Sequence, residues 1–383
     1  MNQLYFSEEQ NMLREQIRRF VEQEIVPNAE PWESAGFVPR EVLRKMGELG
    51  FLGIRYDEEY GGSKMNTLGS IILAEELGRS TFGGFAVTVM VHTDMASPHL
   101  DNFGTKAQKE KYMPDLISGK KICAVGVTEP DAGSDVAGIR TTAVEDGDSY
   151  VLNGSKMFIT NGVKGDIYFI AAKTDTTVKG SRGITIFIVE KGTPGFSVGR
   201  ALAKQGWLSS DTAELVFENC RVPRENILGE LNKGFYSIMK NFQNERAVLG
   251  AQSMGEAAKA LELTLQYVQE RKAFGAPLWE KQTIRARLAM LQAKVEAGRQ
   301  LVYHAGWLDS IGQDCVKEVS MVKAYCCELV NEVMYTCLQF HGGFGYIRES
   351  AIERMSRDAR VQSIGGGATE VMLEEIAKRS IVV

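Results

Sequence analysis

Three rhythms of apolar and polar residues succeed one another along this chain. In the first, apolar positions return every three or four residues, the period of helices with one buried face. Ser7 followed by Gln10 makes a capping box, and the helix it opens, Glu8 to about Ile25, must stop before Pro27. Helical patterns broken at glycines continue to about residue 118. From Lys121 the rhythm shortens to β-type runs: CAVGV, TTAVE, SYVLNG, MFITNG, DIYFIAAK, GITIFIVE and AELVFENCRV. Asp146-Gly147, Asn153-Gly154 and Asn161-Gly162 read as turns between them. Successive strands without intervening helices predict an antiparallel sandwich or barrel. After Pro223 the helical period returns over about 231–270, 280–311 and 315–340, with a shorter segment near 369–380. The chain therefore divides into a helical domain over 1–120, a β domain over 121–228 and a second helical domain over 229–383. No internal repeat or low-complexity tract interrupts this layout.

Composition narrows the function without naming it. At roughly 150 residues per domain, 383 residues agree with two or three domains. The charge balance is −5, which speaks against a dedicated nucleic-acid binder. No apolar run reaches the ~18 residues of a membrane span, and MNQLYFSEEQ is neither a signal nor a transit peptide. A soluble, cytoplasmic protein is the expectation. The six cysteines form no C-x-x-C pair, and the four histidines lack metal spacing, so no metal site is expected. No G-x-S-x-G anchors a serine hydrolase either. Gly133-Ser134-Asp135-Val136-Ala137-Gly138 resembles part of a dinucleotide fingerprint, but its first glycine is missing and β-runs follow it.

Three segments together resemble the acyl-CoA dehydrogenase family. They are VTEPDAGSDVAG at 127–138, QERKAFG at 269–275 with Gln282 after it, and Gln339-Phe-His-Gly342-Gly343-Phe-Gly345-Tyr346 followed by Glu349, Arg354 and Asp358. They occur in the family's order across nearly the whole chain. The resemblance implies a mainly α fold with a central β domain: an N-terminal helical domain, a β-barrel or sandwich, and a C-terminal four-helix bundle. It also implies a non-covalent FAD enzyme that forms a trans double bond between Cα and Cβ of an acyl-CoA. An electron-transfer flavoprotein would be the acceptor and a homotetramer the assembly. Alternatives are a fold relative acting as a flavin oxidase or monooxygenase, or a flavoprotein kept for assembly alone.

That chemistry accounts for the residue types. The α-proton of a thioester is weakly acidic, so its base must be held dry and oriented, and the thioester oxygen needs hydrogen bonds where enolate charge develops. By resemblance, Val125, Val127, Thr128, Gly133 and Ser134 run along the flavin, with Ser134 also beside the acyl-CoA. Phe158, Ile159 and Thr160 match a Trp-Ile-Thr that covers the other flavin face; Phe158 keeps the aromatic ring and loses the indole N–H. Arg271, Gln282, Gln339, Gly342 and Gly343 match positions that hold the adenosine half of FAD across a subunit boundary. Glu370 is grouped with the cofactor positions.

The family's usual C-terminal catalytic glutamate is absent. Its motif, Tyr-Glu-Gly-Thr, is matched here by Gly365-Gly366-Gly367-Ala368, which puts Gly366 in the glutamate's place. A substitute lies on the helix after Pro223. Phe235, Ile238, Phe242, Glu245 and Leu249 share one helix face, so Glu245 interrupts an apolar stripe. A carboxylate there is costly unless paired or used. The segment QNERAVLG resembles the long-chain and isovaleryl-CoA dehydrogenases, whose base sits on this helix. The resemblance makes Glu245 the base, Arg246 a contact to the CoA portion, and Gly366 and Gly367 substrate contacts, with the Gly366 N–H as oxyanion donor. It further implies that Glu245→Thr with Gly366→Glu restores part of the activity by rebuilding the other arrangement. With the base on the helix and Gly365-Gly366-Gly367 opposite, space is expected around the α and β carbons, so medium-to-long or methyl-branched acyl-CoAs should outperform butyryl-CoA.

Overall fold

The computed structural model describes residues 4–178 and 180–380. Seven α-helices come first: α1 (Glu8–Phe20), α2 (Ala29–Ala35), α3 (Arg40–Glu48), α4 (Thr67–Gly78), α5 (Gly83–Met90), α6 (Ser97–Phe103) and α7 (Lys106–Ile117). The capping box on α1 forms reciprocally, Ser7 and Gln10 each accepting the other's backbone N–H. After α1 the chain passes through a π-turn at Val21–Ile25 into a 3-10 turn containing Pro27, so the regular helix ends short of the proline. α4 and α5 are buried nearly all round, which is why neither shows a strongly amphipathic pattern. Between α5 and α6 the chain forms a second π-turn, Val91–Ala96, entirely buried. A π-turn takes carbonyls out of the regular ladder and often marks a functional stretch.

Eight strands follow: β1 (Cys123–Gly126), β2 (Thr142–Asp146), β3 (Ser149–Thr160), β4 (Ile167–Lys173), β5 (Ile184–Glu190), β6 (Phe196–Ala201), β7 (Thr212–Pro223) and β8 (Ile227–Leu228). They make one sheet in the order β6-β7-β3-β2-β4-β5-β8, with β1 beside β4. The sheet is mixed, which corrects the expectation of a purely antiparallel one: β1 runs parallel to β4, and β2 meets β4 in parallel at Thr142 and Lys173. The β2–β3 hairpin lies between β1 and β4 in sequence and supplies the long crossover that parallel pairing needs. Asn153-Gly154 is also not a turn. β3 runs straight through it, with a register shift between Leu152 and Gly154. Gly154 has φ +145°, and a Cβ there would lie 2.6 Å from Thr141 Oγ1, so the glycine serves a bulge and a close approach.

Among the described residues five α-helices follow: α8 (Gly234–Glu270), α9 (Gln282–Ser310), α10 (Val316–His341), α11 (Ala351–Ala359) and α12 (Thr369–Lys378). The short α11 escapes an apolar-period reading because buried Arg354 and Asp358 occupy its inward face. α10 packs against α8, α9 and α12, while α8 also lies along α4, placing α8 between the two helical regions. All six cysteines are buried and unpaired. Among the described residues, no helix is long and apolar enough to cross a membrane, and no group of three or more His, Cys, Asp or Glu could hold a metal ion.

Candidate active site

The apolar stripe of α8 faces inward as its spacing predicts: Ile238 and Leu249 are buried, and Phe235 and Phe242 are half-buried. Glu245 on this stripe is only 7% exposed. The π-turn Val91–Ala96 packs against this part of α8 and presents its carbonyls to it. Asn241 Nδ2 lies 3.2 Å from the Asp94 carbonyl, 3.0 Å from the Met95 carbonyl and 3.0 Å from Glu245 Oε1. Two amide hydrogens thus serve three acceptors, one of them the carboxyl. Asn244 Nδ2 donates to the Asp94 carbonyl as well, at 2.9 Å, and Asp94 faces Arg55 at 3.5 Å. Burial pushes the Glu245 carboxyl up to about 7, against the opposing pull of the Asn241 hydrogen bond and the Arg246 charge. A carboxyl at that value is half ionised near neutral pH, the poise suited to a general base.

Arg246 is buried beside it, with its guanidinium 5.7 Å from the centre of the Phe242 ring. Burial lowers its pKa, and its Nε–H is buried without an acceptor among the described residues. A buried donor left unpaired is costly, so an acceptor supplied by a ligand fits this position.

The glycine segment lies against the same helix face. A Cβ on Gly366 would sit 2.3 Å from Leu249 Cδ1, and Leu249 is one turn from Glu245. Gly366 and Gly367 have φ +65° and +105°, conformations that an L-residue rarely adopts. Leu249 therefore fills the place where a side chain at 366 would begin. Glu370 is exposed on the first turn of α12 and shares none of the burial of Glu245.

The first flavin-type segment and the 158–160 segment lie side by side. The Met157 N–H donates to the Thr128 carbonyl at 2.9 Å. Lys156, fully buried, donates to the Val127 carbonyl at 3.2 Å and pairs with Glu129 at 2.6 Å. Glu129 in turn accepts the Thr141 N–H at 3.0 Å, and its backbone closes a tight turn with Ala132. This buried pair leaves Val125, Val127 and Thr128 half-buried and Gly133 and Ser134 exposed. Ile159 is buried and Thr160 half-buried, whereas Phe158 is 67% exposed with φ +61°. A bare aromatic ring on strained backbone fits a surface waiting for a planar partner.

A separate open cleft of about 650 Å³ is lined by Tyr267, Arg271, Leu278, Phe340, His341, Gly342, Gly343 and Phe344. Arg271, Gly342 and Gly343 meet there as the sequence pairs them. Gln282 and Gln339 are exposed but do not line the cleft, and no residue of the 125–160 set reaches it. Tyr267 stacks on His341 at 4.4 Å and lies parallel to Phe344 at 6.1 Å, making an aromatic floor that motif reading did not foresee. Asn241, Lys156 and Lys323 were also missed. The available signals were Asn241 one turn before Glu245 and Lys323 inside the otherwise apolar VSMVKAYCC, whereas Lys156 follows Asn-Gly-Ser and carries none.

Comparison with known proteins gives these features a common setting. The family models for the N-terminal, middle and C-terminal domains of acyl-CoA dehydrogenase match residues 7–120, 124–220 and 232–381. The chain is 40% identical over 377 residues to the mitochondrial long-chain specific acyl-CoA dehydrogenase of Mus musculus, covering 98% of this chain and 87% of that one. It is also 40% identical to the acryloyl-CoA reductase (NADH) of Anaerotignum propionicum, with 97% and 95% covered. The crystal structure of an acyl-CoA dehydrogenase from Geobacillus kaustophilus superposes with a TM-score of 0.94 at 41% identity, covering 99% of each chain.

Proposed function

The chain belongs to the acyl-CoA dehydrogenase family, and from that premise we propose that Glu245 is the base of an FAD-dependent α,β-dehydrogenation of acyl-CoA. Enzymes of this family are FAD flavoproteins. The observation that carries the assignment is a buried carboxyl, raised to about 7, one turn along α8 from Leu249, the residue that meets the glycine segment standing in for the family's usual glutamate. Glu245 takes the α-proton, and the Gly366 N–H donates to the thioester oxygen as negative charge gathers there. Arg246 supplies its unpaired N–H to the CoA portion, with Gly367 and Ser134 beside the substrate. The π-turn and the apolar stripe keep water from the carboxyl.

The residues present fit the cofactor. The half-buried Val125, Val127 and Thr128, the exposed Gly133 and Ser134, and the Phe158–Thr160 segment would hold the flavin ring. Arg271, Gly342 and Gly343, with Gln282 and Gln339, would hold the adenosine half, at a contact completed by a second subunit of a homotetramer, and Glu370 is a further proposed cofactor contact. The open cleft and the room beside both glycines support this reading. Bound there, FAD would supply the acceptor for the hydride equivalent that leaves Cβ. An electron-transfer flavoprotein is the proposed acceptor.

The preferred substrate is a medium-to-long or branched acyl-CoA. Likeness to a long-chain specific relative supports this. Room at Gly366 does not, because Leu249 occupies it. Likeness to an acryloyl-CoA reductase favours a second reading, in which the same site works in the reducing direction. Anaerobic mixing with a panel of acyl-CoAs tests the first. Rapid bleaching of bound FAD by longer or branched substrates is expected. A clear preference for butyryl-CoA rejects the substrate reading, and no bleaching with any saturated acyl-CoA, alongside turnover of an enoyl-CoA by reduced enzyme, favours the second.

A further inference from the structure

Lys323 lies in α10, outside every motif above, and is 1% exposed. A buried ammonium needs acceptors. Lys323 finds two, the Gln362 carbonyl at 2.5 Å and the Gly367 carbonyl at 3.0 Å, which bracket the glycine segment. Between those brackets the N–H groups are unequally used. Ile364 and Gly365 both donate to the Val361 carbonyl, at 2.9 and 2.8 Å, whereas the Gly366 N–H has no acceptor among the described residues. Gln362 is itself anchored: its Nε2 donates to Glu256 at 2.5 Å, and its Oε1 accepts the Ser253 hydroxyl. Three consecutive glycines have no side chains to fix them, and each ordered residue costs conformational entropy. Something outside the segment must hold it.

We propose that Lys323 is a positioning residue for the dehydrogenation, clamping the Gln362 and Gly367 carbonyls so that the free Gly366 N–H stays aimed at the thioester oxygen. The inference rests on the function proposed above, since it gives that N–H its task. Among the described residues the hydrogen bonds of Lys323 go to the two carbonyls and not to Glu245. It acts through the segment it brackets, and Glu256 steadies the far bracket through Gln362.

The test uses the full-length, FAD-loaded protein and the Lys323→Met variant, which keeps the length of the side chain and removes its charge and donors. Loss of one oxyanion donor typically costs about 10²–10³ in kcat, so a donor merely loosened should cost about 10- to 100-fold. KM should stay within about threefold, because ground-state binding of the CoA portion is unaltered. A second readout needs no turnover. A bound 3-oxoacyl-CoA has an acidic α-proton, and its enolate has its own ultraviolet absorbance; the pH at which it ionises on the enzyme should rise in Lys323→Met. Adding Gly365→Ala, whose Cβ would lie an ordinary 3.7 Å from the Val361 carbonyl, should stiffen the segment and restore part of kcat. If Lys323→Met does not accumulate as folded protein, Lys323→Gln retains an N–H donor and should fall between wild type and complete loss in both readouts. A variant with lower thermal stability but unchanged kcat and unchanged ligand ionisation would overturn the proposal, leaving Lys323 a support of the fold alone. Wild-type protein that no acyl-CoA reduces would sink the functional reading and this inference together. Wild-type turnover matched by the variant sinks only the inference.

Discussion

Helix α8 carries two buried carboxyls about three turns apart, and they have opposite surroundings. Glu256 is 3% exposed and burial pushes it up to about 8; Glu245 is 7% exposed and raised to about 7. Both oxygens of Glu256 are occupied, by Gln252 Nε2 at 2.7 Å and Gln362 Nε2 at 2.5 Å. The buried Gln252 Oε1 has no partner among the described residues, and a half-turn of that amide makes it an acceptor for a protonated Glu256. Among the described residues Glu245 accepts only from Asn241 and lies beside an arginine with an unpaired N–H. Burial raises both carboxyls. What distinguishes a base from a structural acid is a free oxygen and a neighbouring group left unsatisfied for a ligand.

The same substitution at the two sites should therefore give opposite results. Glu245→Gln removes the proton acceptor and should slow flavin reduction by acyl-CoA about 10²–10⁴-fold, at the severe end because the α-proton is weakly acidic. FAD content should not change. Glu256→Gln replaces a neutral acid by a neutral amide that can still accept from Gln362 and donate to Gln252, so the rate should stay within about threefold. Stopped-flow reduction of both variants decides this; equal losses would erase the distinction. Moving the carboxylate is the next largest effect. Glu245→Thr with Gly366→Glu should remain nearly inactive, because the new Cβ meets Leu249 Cδ1 at 2.3 Å on left-handed backbone. Adding Leu249→Ala should recover about tenfold or more. Recovery without that third change would show that Leu249 moves aside.

The sequence made Glu245 readable because a charge on an apolar helical stripe is a local feature, and it made the helical–β–helical order readable because each region has its own period. Glu256 has no such contrast, since the surrounding face of α8 is buried nearly all round and polar residues there satisfy one another. Its partner Gln362 comes from the chain's far end, which no spacing rule connects to α8. The π-turn at Val91–Ala96 was hidden for the same reason: its carbonyls are stabilised by Asn241 and Asn244, about 150 residues away in sequence. The parallel placement of β1 depends on its pairing with β4, where Cys123 meets Ile167 far along the chain, and Asn153-Gly154 carries a hairpin signal that a bulge uses equally well.

The two carboxyls should also separate by their effects on stability. A carboxyl whose folded pKa is raised stabilises the fold, relative to an ionised one, only while it stays protonated, and that contribution is lost as pH rises through the folded value. For Glu256 the loss spans the ordinary carboxyl range up to about 8. Glu256→Gln should then unfold at a higher temperature than wild type at pH 9 and at the same temperature near pH 4, with a gain on the order of a few kcal/mol at most. Calorimetry at the two pH values checks this. A constant difference would mean that Glu256 ionises freely in the folded protein.

The smallest expected effect concerns what holds Glu245. The Asn241 hydrogen bond favours the carboxylate and opposes the upward push of burial. Asn241→Leu keeps the bulk and removes the donor, so the base should ionise at higher pH. Catalysis needs the ionised form, so the acid limb of kcat/KM should move upward from its position near 7, by up to about one unit, the equivalent of one hydrogen bond to a charged group. The rate well above the limb should change little. The charged groups around the base set the direction for a second substitution. Arg246 lies on the same helix and favours ionisation, while Asp94, on the packed π-turn, faces Arg55. Asn241→Asp adds a like charge one turn from the base and should move the limb further than Asn241→Leu. Part of any loss will come from the Met95 carbonyl, which loses its donor, whereas the Asp94 carbonyl keeps Asn244. That loss lowers stability but cannot move a pH limb in a graded order. A limb at the same pH in wild type, Leu and Asp variants would show that Asn241 does not tune the base. A limb that moves in that order, and stays fixed in Glu256→Gln, would tie the pH dependence to Glu245 alone of the two carboxyls on α8.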